Sequence, residues 1–370
     1  MGWQSPLDEE ITLDQLDRDP FPIYRCLRAQ APVLRVKSLN RTLPTKAAHT
    51  KFVKDTPEVY NSDDPNTPMK RAFWAHTLMC KNGAEHRRER MAPAFSAKVI
   101  QNDWMPAYRN AARYYVARGQ AILLGMLEDS DEQMMEWSQA LIEGAGNFGW
   151  CDAPFARADR ANEAIHALLD SLQARHRAAP NNSAFPAMLN ADDPIAERQI
   201  YAIIKIAISG GMIEPSDANN TVLYGLLTNP DQLAQVKRQE DWSRAFEKRL
   251  RRVAHISASS HLVTQDTELC GYFIPKGDTV MTIQASANRD EELFENGEAF
   301  QVYRDSNPHR SFSNGPHNCQ GTHVARRSIG EIMLSILFDR FPGMQIPDPS
   351  AVSWRRFDFR GPVLLPMLMQ

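Results

Sequence analysis

The 370-residue sequence has few cysteines, no long apolar run and almost no net charge. Its five cysteines are an odd number without clustered spacing, which indicates free thiols rather than a disulfide framework. The formal net charge of −3 argues against a general binder of nucleic acid or of anionic membranes. No run of about 18 apolar residues suggests a membrane span, and the acidic start has no apolar signal region. We therefore expect a cytoplasmic protein without a membrane segment.

Helix-like periodicity dominates the sequence. Apolar residues recur three and four apart over residues 84–149, 161–176, 197–228 and 321–340. In the last of these ranges, the predicted apolar face consists of Ile329, Ile332, Met333, Ile336 and Leu337. Pro215 lies inside the third range, and we expect a local kink or opening of the helix there, because proline removes one backbone donor.

Strand-like alternation is confined to two places. Residues 31–46 predict a hairpin with Asn40 and Arg41 in its turn, and residues 262–283 predict short strands joined by glycine-containing turns. The sequence thus predicts a mainly α fold with a small β part. We expect one catalytic domain over residues 1–370, with a short tail at about 1–17.

The stretch "SFSNGPHNCQGTHVARR" places one cysteine, Cys319, in a turn before the predicted C-terminal helix. Free N–H groups and the helix dipole favour the thiolate, which is the nucleophilic and metal-binding form. Three interpretations are open at this point. Cys319 only fills the turn, it joins His317 and His323 in a zinc site that lacks a fourth ligand, or its thiolate binds haem iron.

This stretch resembles the haem-binding motif of cytochromes P450. The matching positions are Phe312, Gly315, His317, Cys319, Gly321, Ala325 and Arg326. The resemblance implies the cytochrome P450 fold, with haem b (iron protoporphyrin IX) bound through Cys319 as the metal ligand. It also implies that His317 contacts a haem propionate. Gly321, which has no side chain, would let the helix backbone lie close to the porphyrin.

Other stretches extend the resemblance from about residue 18 to the C-terminus. "NGAEHRRERMAPAFS" resembles the family's C-helix, in which His86 and Arg90 would bind a propionate from one helix face. His261 stands where relatives often have a propionate-binding arginine. The alternatives are a solvated basic helix and a surface histidine. "FRGPVLLPM" resembles the closing hairpin that often touches substrate.

The stretch "SGGMIEPSD" resembles the family's I-helix, which crosses the oxygen-binding face. Gly210 and Gly211 are retained, and the resemblance implies that they let oxygen and substrate approach the backbone. Ile213 stands where the family has an acid, and Glu214 stands where it has a threonine. We predict that Glu214 relays protons, with Ser216 as an auxiliary group. The alternative is that Glu214 only caps the kink.

The predicted K-helix, "AFEKRLRRVAHIS", departs from the family pattern. Arg251 occupies the arginine position, but Lys248 replaces the family's glutamate, and Ala299 replaces the arginine that completes the buried network. An unpaired buried charge costs about 3–5 kcal/mol. We therefore expect a rearranged region with altered stability or haem retention. Glu247 can still form an i, i+4 pair with Arg251.

The resemblance implies a haem-thiolate monooxygenase that inserts one oxygen atom from O2 into a small organic substrate. No flavin, nicotinamide or iron–sulfur motif occurs in the sequence, so a separate ferredoxin or flavodoxin and its NAD(P)H reductase would supply electrons. Two alternatives remain. The atypical Ile213-Glu214-Pro215 sequence favours a peroxide-driven or non-oxygenating haem-thiolate enzyme. Lys248, Ala299 and a D–E region that is shorter than the resemblance implies favour a degenerate haem-binding or sensor protein.

Overall fold

The computed structural model describes residues 3–90, 98, 102, 116–126 and 130–370. Helices and strands are numbered along these residues. The helices are α1 (Leu13–Arg18), α2 (Phe21–Gln30), α3 (Ala47–Asp55), α4 (Pro68–Phe73), α5 (Gly83–Glu89), α6 (Val116–Leu124), α7 (Asp131–Ala145), α8 (Asp152–Ala178), α9 (Ala184–Leu189), α10 (Glu197–Leu227), α11 (Pro230–Gln239), α12 (Trp242–Arg252), α13 (Gln284–Ala287), α14 (Thr322–Ala325) and α15 (Leu334–Arg340). A π-helix, Arg326–Met333, joins the last two.

The strands are β1 (Trp3–Gln4), β2 (Leu7–Asp8), β3 (Val33–Val36), β4 (Arg41–Pro44), β5 (Tyr60–Asn61), β6 (Ala258–Val263), β7 (Thr267–Leu269), β8 (Tyr272–Ile274), β9 (Thr279–Ile283), β10 (Ser353–Arg355) and β11 (Gly361–Leu364). They form a six-stranded sheet of order β2-β3-β4-β9-β6-β5, a three-stranded sheet of order β1-β8-β7, and the hairpin β10-β11. The mainly α fold with a small β part is confirmed.

The chain forms two compact units. The sheet unit comprises Met1–Asp64, Asp217–Cys319 and Ile329–Gln370, and the helical unit comprises Pro65–Ser216 and Gln320–Ser328. The expectation of one catalytic domain over residues 1–370 stays a prediction. Among the described helices, none is long and apolar enough to cross a membrane.

The sheet unit contains the hairpin predicted at residues 31–46. In its antiparallel pair, Val33 lies opposite Pro44 and Val36 lies opposite Arg41. Asn40 has a φ of 52°, a left-handed conformation that asparagine adopts more readily than most residues. Arg41 already belongs to β4, so the turn ends one residue earlier than predicted. The core of this unit includes Val33, Val53, Tyr60, Val263, Leu269, Ile274 and Val280.

The helical unit is held together by close helix packing. A Cβ at Gly144 on α7 would lie 2.9 Å from the Cβ of Ala72 and 3.0 Å from that of Ala158, so only glycine permits this approach. Asn162 of α8 donates to the carbonyl oxygens of Ala72 and Ala158, both at 2.7 Å. Helix α8 begins well before the helix predicted from the sequence at 161–176. Much of the predicted helical range 84–149 lies outside the described residues.

Helix α10 continues through Pro215, so the expected opening at that residue is wrong, whereas the expected kink stays a prediction. A side chain from α7 contacts the helix backbone one turn earlier, at Ser209 and Ile213. The hydroxyl of Ser138 on α7 donates to the carbonyl oxygen of Ser209 at 2.9 Å and accepts from the N–H of Ile213 at 3.4 Å. In an undisturbed α-helix these two backbone groups would bond directly. A side chain inserted in this way is a recognised cause of helix bending.

The C-terminal helical segment is present where the sequence predicts it, but its buried face differs. In the π-helix each N–H bonds five residues back, so the turn is wider than an α-helical turn. The structure buries Ile329, Leu334 and Phe338, whereas Ile332, Met333, Ile336 and Leu337 are half-buried. The predicted apolar face is therefore fully buried only at Ile329 and partly buried beyond it.

Candidate functional site

The loop before α14 fixes the backbone of Cys319. The N–H of Cys319 donates to the carbonyl oxygen of Phe312 at 2.9 Å, and that of Asn318 donates to Gly315 at 3.1 Å. Gly315 has a φ of 68°, a conformation that strains any residue with a side chain. These features close the loop and present a half-buried cysteine three residues before α14 begins at Thr322.

The contacts and conformation of the loop explain Phe312 but not Gly321. The ring of Phe312 lies 6.5 Å from that of Phe246, which anchors the loop to α12. Gly321 has a φ of −72° and a ψ of 0°, which any residue can adopt. The backbone conformation at position 321 therefore does not require glycine. That Gly321 lies close to a porphyrin stays a prediction.

The zinc interpretation of Cys319 finds no support in the structure. Among the described residues, which include His317, Cys319 and His323, no three His, Cys, Asp or Glu side chains lie together as metal ligands. Structural zinc needs about four such ligands. Haem iron needs one axial thiolate from the protein. The donor set at Cys319 therefore fits haem better than zinc.

Four basic side chains form what we call the basic cluster of the sheet unit: Lys54, His261, Arg310 and His317. A Cβ at Gly315 would lie 3.2 Å from the carbonyl oxygen of Lys54, which places α3 against the cysteine loop. His317 Nε2 lies 3.0 Å from Ser62 Oγ. Lys54 and Arg310 were not found from the sequence, because isolated basic residues carry no motif.

The electrostatics of the basic cluster favour an anion. Burial holds the pKa of His261 well below its usual range, and the charges of Lys54 and His317 lower it further. Burial lowers the pKa of Lys54 to about 8, and Arg310 adds repulsion. Desolvated cations that repel one another are stabilised by a nearby carboxylate. Haem propionates are carboxylates, so the basic cluster fits the haem that the sequence implies.

His86 and Arg90 lie in the helical unit, but not on one helix face as predicted. Helix α5 ends at Glu89, and Arg90 follows it with a ψ of 129°, an extended conformation. The N–H of Arg90 still donates to the carbonyl oxygen of His86 at 3.1 Å. His86 is buried, and burial lowers its pKa, followed by the charges of Arg90 and Arg87. Residues 91–96 of the predicted helix lie outside the described residues.

On α10, Gly210 and Glu214 lie one helical turn apart. A Cβ at Gly210 would lie 3.6 Å from Glu214 Oε1, so the carboxylate lies over that glycine. Ile213 is buried, whereas Glu214 and Ser216 are half-buried. The partial exposure of Glu214 is compatible with the relay predicted for this residue. The roles of Glu214 and Ser216 stay predictions.

Gly211 has a neighbour that the sequence did not indicate. A Cβ at this position would lie 2.3 Å from Nε2 of Gln120, whose side chain also donates to the carbonyl oxygen of Ala207 at 2.9 Å. The small size of Gly211 is therefore explained by the packing of α6 on α10. Gln120 and Ser138 both contact α10 from distant parts of the chain, and no local pattern announces such contacts.

The K-helix of the sequence is α12, and its charges are arranged differently from the prediction. Glu247 does not pair with Arg251; its Oε2 lies 2.9 Å from Nε2 of His309. The guanidinium of Arg251 donates instead to the carbonyl oxygens of Asn288 at 2.6 Å, Gly297 at 2.8 Å and Ala299 at 2.9 Å. Lys248 donates to the carbonyl oxygen of Arg304. Backbone oxygens thus replace the family's buried carboxylate.

Comparisons with known proteins agree with this fold and this loop. The cytochrome P450 family model matches residues 249–346, which include the last turn of α12 and the cysteine loop. The 6-deoxyerythronolide B hydroxylase of Saccharopolyspora erythraea is 31% identical over 206 residues, covering 54% of this chain and 50% of that protein. A cytochrome P450 of Bacillus subtilis is 26% identical over 317 residues, covering 81% of this chain and 74% of that protein. The chain thus spans half of the first relative's length.

Solved structures extend the likeness over the whole chain. P450BioI, in complex with an acyl carrier protein carrying hexadec-9Z-enoic acid, has a TM-score of 0.85 at 21% identity and covers 95% of this chain and 99% of its own. CYP109E1 from Bacillus megaterium, in complex with testosterone, has a TM-score of 0.84 at 20% identity and covers 97% and 99%. The fold is that of the cytochromes P450. Residues 249–346 match the cytochrome P450 family model.

Proposed function

We propose that this chain is a haem-thiolate monooxygenase that inserts one oxygen atom from O2 into a small organic substrate. The observation that carries this proposal is the closed loop that holds Cys319 beside the basic cluster of the sheet unit. The match of residues 249–346 to the cytochrome P450 family model and the likeness to solved cytochrome P450 structures support it. Haem b bound through a thiolate would supply the activation of dioxygen, because thiolate ligation favours O–O cleavage.

Each candidate haem residue has a separate task. Cys319 would bind the iron, and Phe312 would hold the loop. His261 and His317, with Lys54 and Arg310, would neutralise propionate carboxylates. As the resemblance implies, His86 and Arg90 would also bind a propionate, and Gly321 would leave room for the porphyrin. Since His261 and Lys54 have lowered pKa values, bound carboxylates should raise the pKa of both groups.

Glu214 would hold and transfer the protons that oxygen activation consumes. Its half-buried carboxylate lies over Gly210, and the buried Ile213 supplies no proton at the family's acid position. Ser216 would assist with its hydroxyl, and the small Gly210 would let oxygen and substrate approach, whereas Gln120 covers Gly211. A positioned acid of this kind contributes about 10²- to 10⁴-fold to a rate.

Electrons would come from a separate ferredoxin or flavodoxin and its NAD(P)H reductase, in the cytoplasm. The sequence contains no flavin, nicotinamide or iron–sulfur motif of its own. The exposed Arg87 and Arg88 would help dock an acidic partner, although Arg88 already lies 2.7 Å from Asp193. Residues 1–370 would act as one catalytic domain.

The ligand assignment is tested by the spectrum of the reduced protein with carbon monoxide. The wild type should show the red-shifted Soret band that thiolate ligation causes, and Cys319→Ser should lose it. Cys151→Ser, which changes an exposed cysteine, serves as the matched control and should keep the band. A wild-type protein that stays colourless after haem supplementation would refute the proposal, as would a Cys319→Ser variant with an unchanged spectrum.

The proton relay needs a separate experiment. Glu214→Gln should reduce electron-driven turnover about 10-fold or more, because a general acid is lost. Turnover with hydrogen peroxide should change little, since peroxide brings its own protons. Glu268→Gln alters an exposed carboxylate in β7 and should affect neither activity. Unchanged electron-driven turnover in Glu214→Gln would reject the relay.

The same comparison tests the second candidate, a peroxide-driven or non-oxygenating haem-thiolate enzyme. The observation in its favour is the buried Ile213 in the family's acid position, followed by Pro215. Faster turnover with peroxide than with the electron donors would support it. A degenerate haem-binding or sensor protein is less favoured, because Lys248 and Arg251 of the altered K-helix donate to four backbone carbonyl oxygens, although Nε of Arg251 has no hydrogen-bond partner among the described residues.

A further inference from the structure

The sheet unit contains a cleft of about 380 Å³, which is rich in arginine. We call it the arginine cleft, and its arginines are Arg18, Arg25, Arg249, Arg252, Arg289 and Arg360. The carboxylates among its lining residues are Asp19 and Glu298. The cleft volume lies in the range of about 300–1,000 Å³ that is usual for small-molecule sites.

Arg249 lies at the buried floor of the cleft and has no carboxylate partner among the described residues. Its side chain is 2% exposed. Nε donates to the carbonyl oxygen of Thr221 at 2.9 Å, and the guanidinium lies 5.4 Å from the ring centre of Tyr224. A Cβ at Gly225 would lie 2.8 Å from Arg249 Cδ, so this glycine lets the arginine cross α10. The buried charge is held by one carbonyl and by aromatic rings.

Arg289 and Arg360 also lie at the floor of the cleft, and few carboxylates neutralise their charges. Arg289 shares Glu298, at 2.5 Å, with Arg28, which lies 3.3 Å from the same carboxylate. Arg360 donates to the carbonyl oxygens of Asp17 at 2.9 Å and Arg18 at 3.0 Å. Nε of Arg360 is buried and has no hydrogen-bond partner among the described residues. Burial and the neighbouring arginine charges lower the pKa of Arg289 to about 9.

The rim of the cleft differs from its floor. Arg25 is exposed, and Arg18 pairs with Asp14 at 2.7 Å on the surface. Aromatic rings form a wall, with Tyr224 and Trp354 in an edge-to-face contact at 5.3 Å. Exposed arginines at the entrance would attract an anion, and buried arginines at the floor would bind it in a site with little competing water.

We propose that the arginine cleft binds the phosphate group of a small organic phosphate whose remaining part packs on the aromatic wall. Guanidinium groups bind phosphate with paired hydrogen bonds, which favours arginine over lysine for this task. A phosphate would also relieve the repulsion among buried cations that lack enough carboxylates. The proposal does not depend on the haem chemistry, since every residue that carries it is independent of the cysteine loop.

The proposal is tested by calorimetric titration of the purified full-length protein with two probes, pyrophosphate and phenyl phosphate. The wild type should bind at least one of them saturably, while sodium chloride at equal ionic strength gives no saturable heat. Arg249→Leu should weaken binding about 10-fold or more. Arg25→Gln, an exposed change that is compatible with folding, should weaken it about 3-fold. The exposed Arg238→Gln, outside the cleft, should bind as the wild type does.

The two probes separate the possible sources of the phosphate. Tighter binding of phenyl phosphate would assign the aromatic wall to the organic part, whereas tighter pyrophosphate binding would assign the site to a diphosphate. The absence of saturable binding of both probes by the wild type would overturn the proposal. Equal affinity in the wild type, Arg249→Leu and Arg25→Gln would also overturn it, since the probe would then bind elsewhere. A failed haem spectrum would leave these results unaffected.

Discussion

Arg249 and Arg251 are neighbours on α12, and both are almost fully buried, yet their charges are stabilised in different ways. Arg251 donates to the carbonyl oxygens of Asn288, Gly297 and Ala299. Arg249 donates to one carbonyl oxygen, that of Thr221. The hydrogen bonds of Arg251 join α12 to the segment around residues 288–299. The arrangement around Arg249 leaves a buried cation whose full stabilisation needs a group from outside the chain.

The comparison also explains how the chain tolerates the loss of the family's buried carboxylate. A guanidinium needs oxygen acceptors in the right directions, and carbonyl oxygens serve as well as a carboxylate for hydrogen bonding. They do not cancel its charge, however. Burial lowers the pKa of Arg251 to about 10, and the nearby Arg304 and Arg252 add to this effect. The hydrogen bonds of Arg251 are thus retained, but the negative charge that balances this arginine in the family is lost.

The largest expected effect separates the two arginines directly. Arg251→Leu should lower the free energy of unfolding by about 3–5 kcal/mol, because three buried carbonyl oxygens lose charged donors. Arg249→Leu should change it by less than about 1 kcal/mol, since replacing a poorly paired buried ion by an apolar residue is often neutral or stabilising. Urea unfolding followed by circular dichroism measures both.

Arg251→Lys is the matched control for the hydrogen bonds of Arg251. Lysine retains the positive charge but lacks the planar fork that reaches three acceptors, so an intermediate loss is expected. Equal losses in Arg251→Leu and Arg249→Leu would show that the carbonyl contacts contribute little. The distinction between a structural arginine and a ligand-binding one would then fail.

The sheet unit also contains a buried acid, Asp358, which contrasts with its buried arginines. Asp358 is 3% exposed, and burial raises its pKa to about 7. The folded state therefore holds its proton more tightly than the unfolded state, whose carboxyl keeps the usual pKa near 4. The stability contributed by this group is present below about pH 4 and is lost as the pH rises towards 7.

Asp358→Asn should remove that dependence, because the amide stays neutral at every pH. At pH 8 the variant should be more stable than the wild type by about 1–3 kcal/mol, and at pH 4 the difference should be close to zero. Urea unfolding at a series of pH values measures this. Asp192→Asn changes an exposed carboxylate and is the control. A variant that is less stable at pH 8 would show that the carboxylate is ionised and paired in the folded state.

The sequence predicted the cysteine loop and the mainly α fold because both are encoded locally. Gly315 must adopt a positive φ, and Cys319 must follow it at a fixed spacing, so the residues themselves mark the loop. The acceptors of Arg251 could not be predicted, because a carbonyl oxygen belongs to every residue and leaves no mark in the sequence. The bridge from Ser138 to α10 was missed for a similar reason: it joins residues about 70 positions apart.

The smallest expected effect concerns Lys248, which replaces the family's glutamate beside Arg251. Lys248 is 6% exposed, and its pKa is lowered by burial and then by the charges of Arg244, Arg304 and Arg251. In Lys248→Glu those three repulsions become attractions, but the donation to the carbonyl oxygen of Arg304 is lost. The two changes nearly offset each other, so we expect a gain of less than about 1 kcal/mol in the free energy of unfolding.

Lys248→Met provides the reference for this prediction, because it removes the charge and the hydrogen bond without adding an acid. If the carbonyl network has only substituted for the missing carboxylate, glutamate at this position should exceed methionine in stability. If Lys248→Glu is instead less stable than Lys248→Met, the segment whose carbonyl oxygens accept from Arg251 is packed tightly around the guanidinium. The position would then exclude the family's acid, because the packed segment would leave no room for a second buried acceptor, although Nε of Arg251 has no hydrogen-bond partner among the described residues.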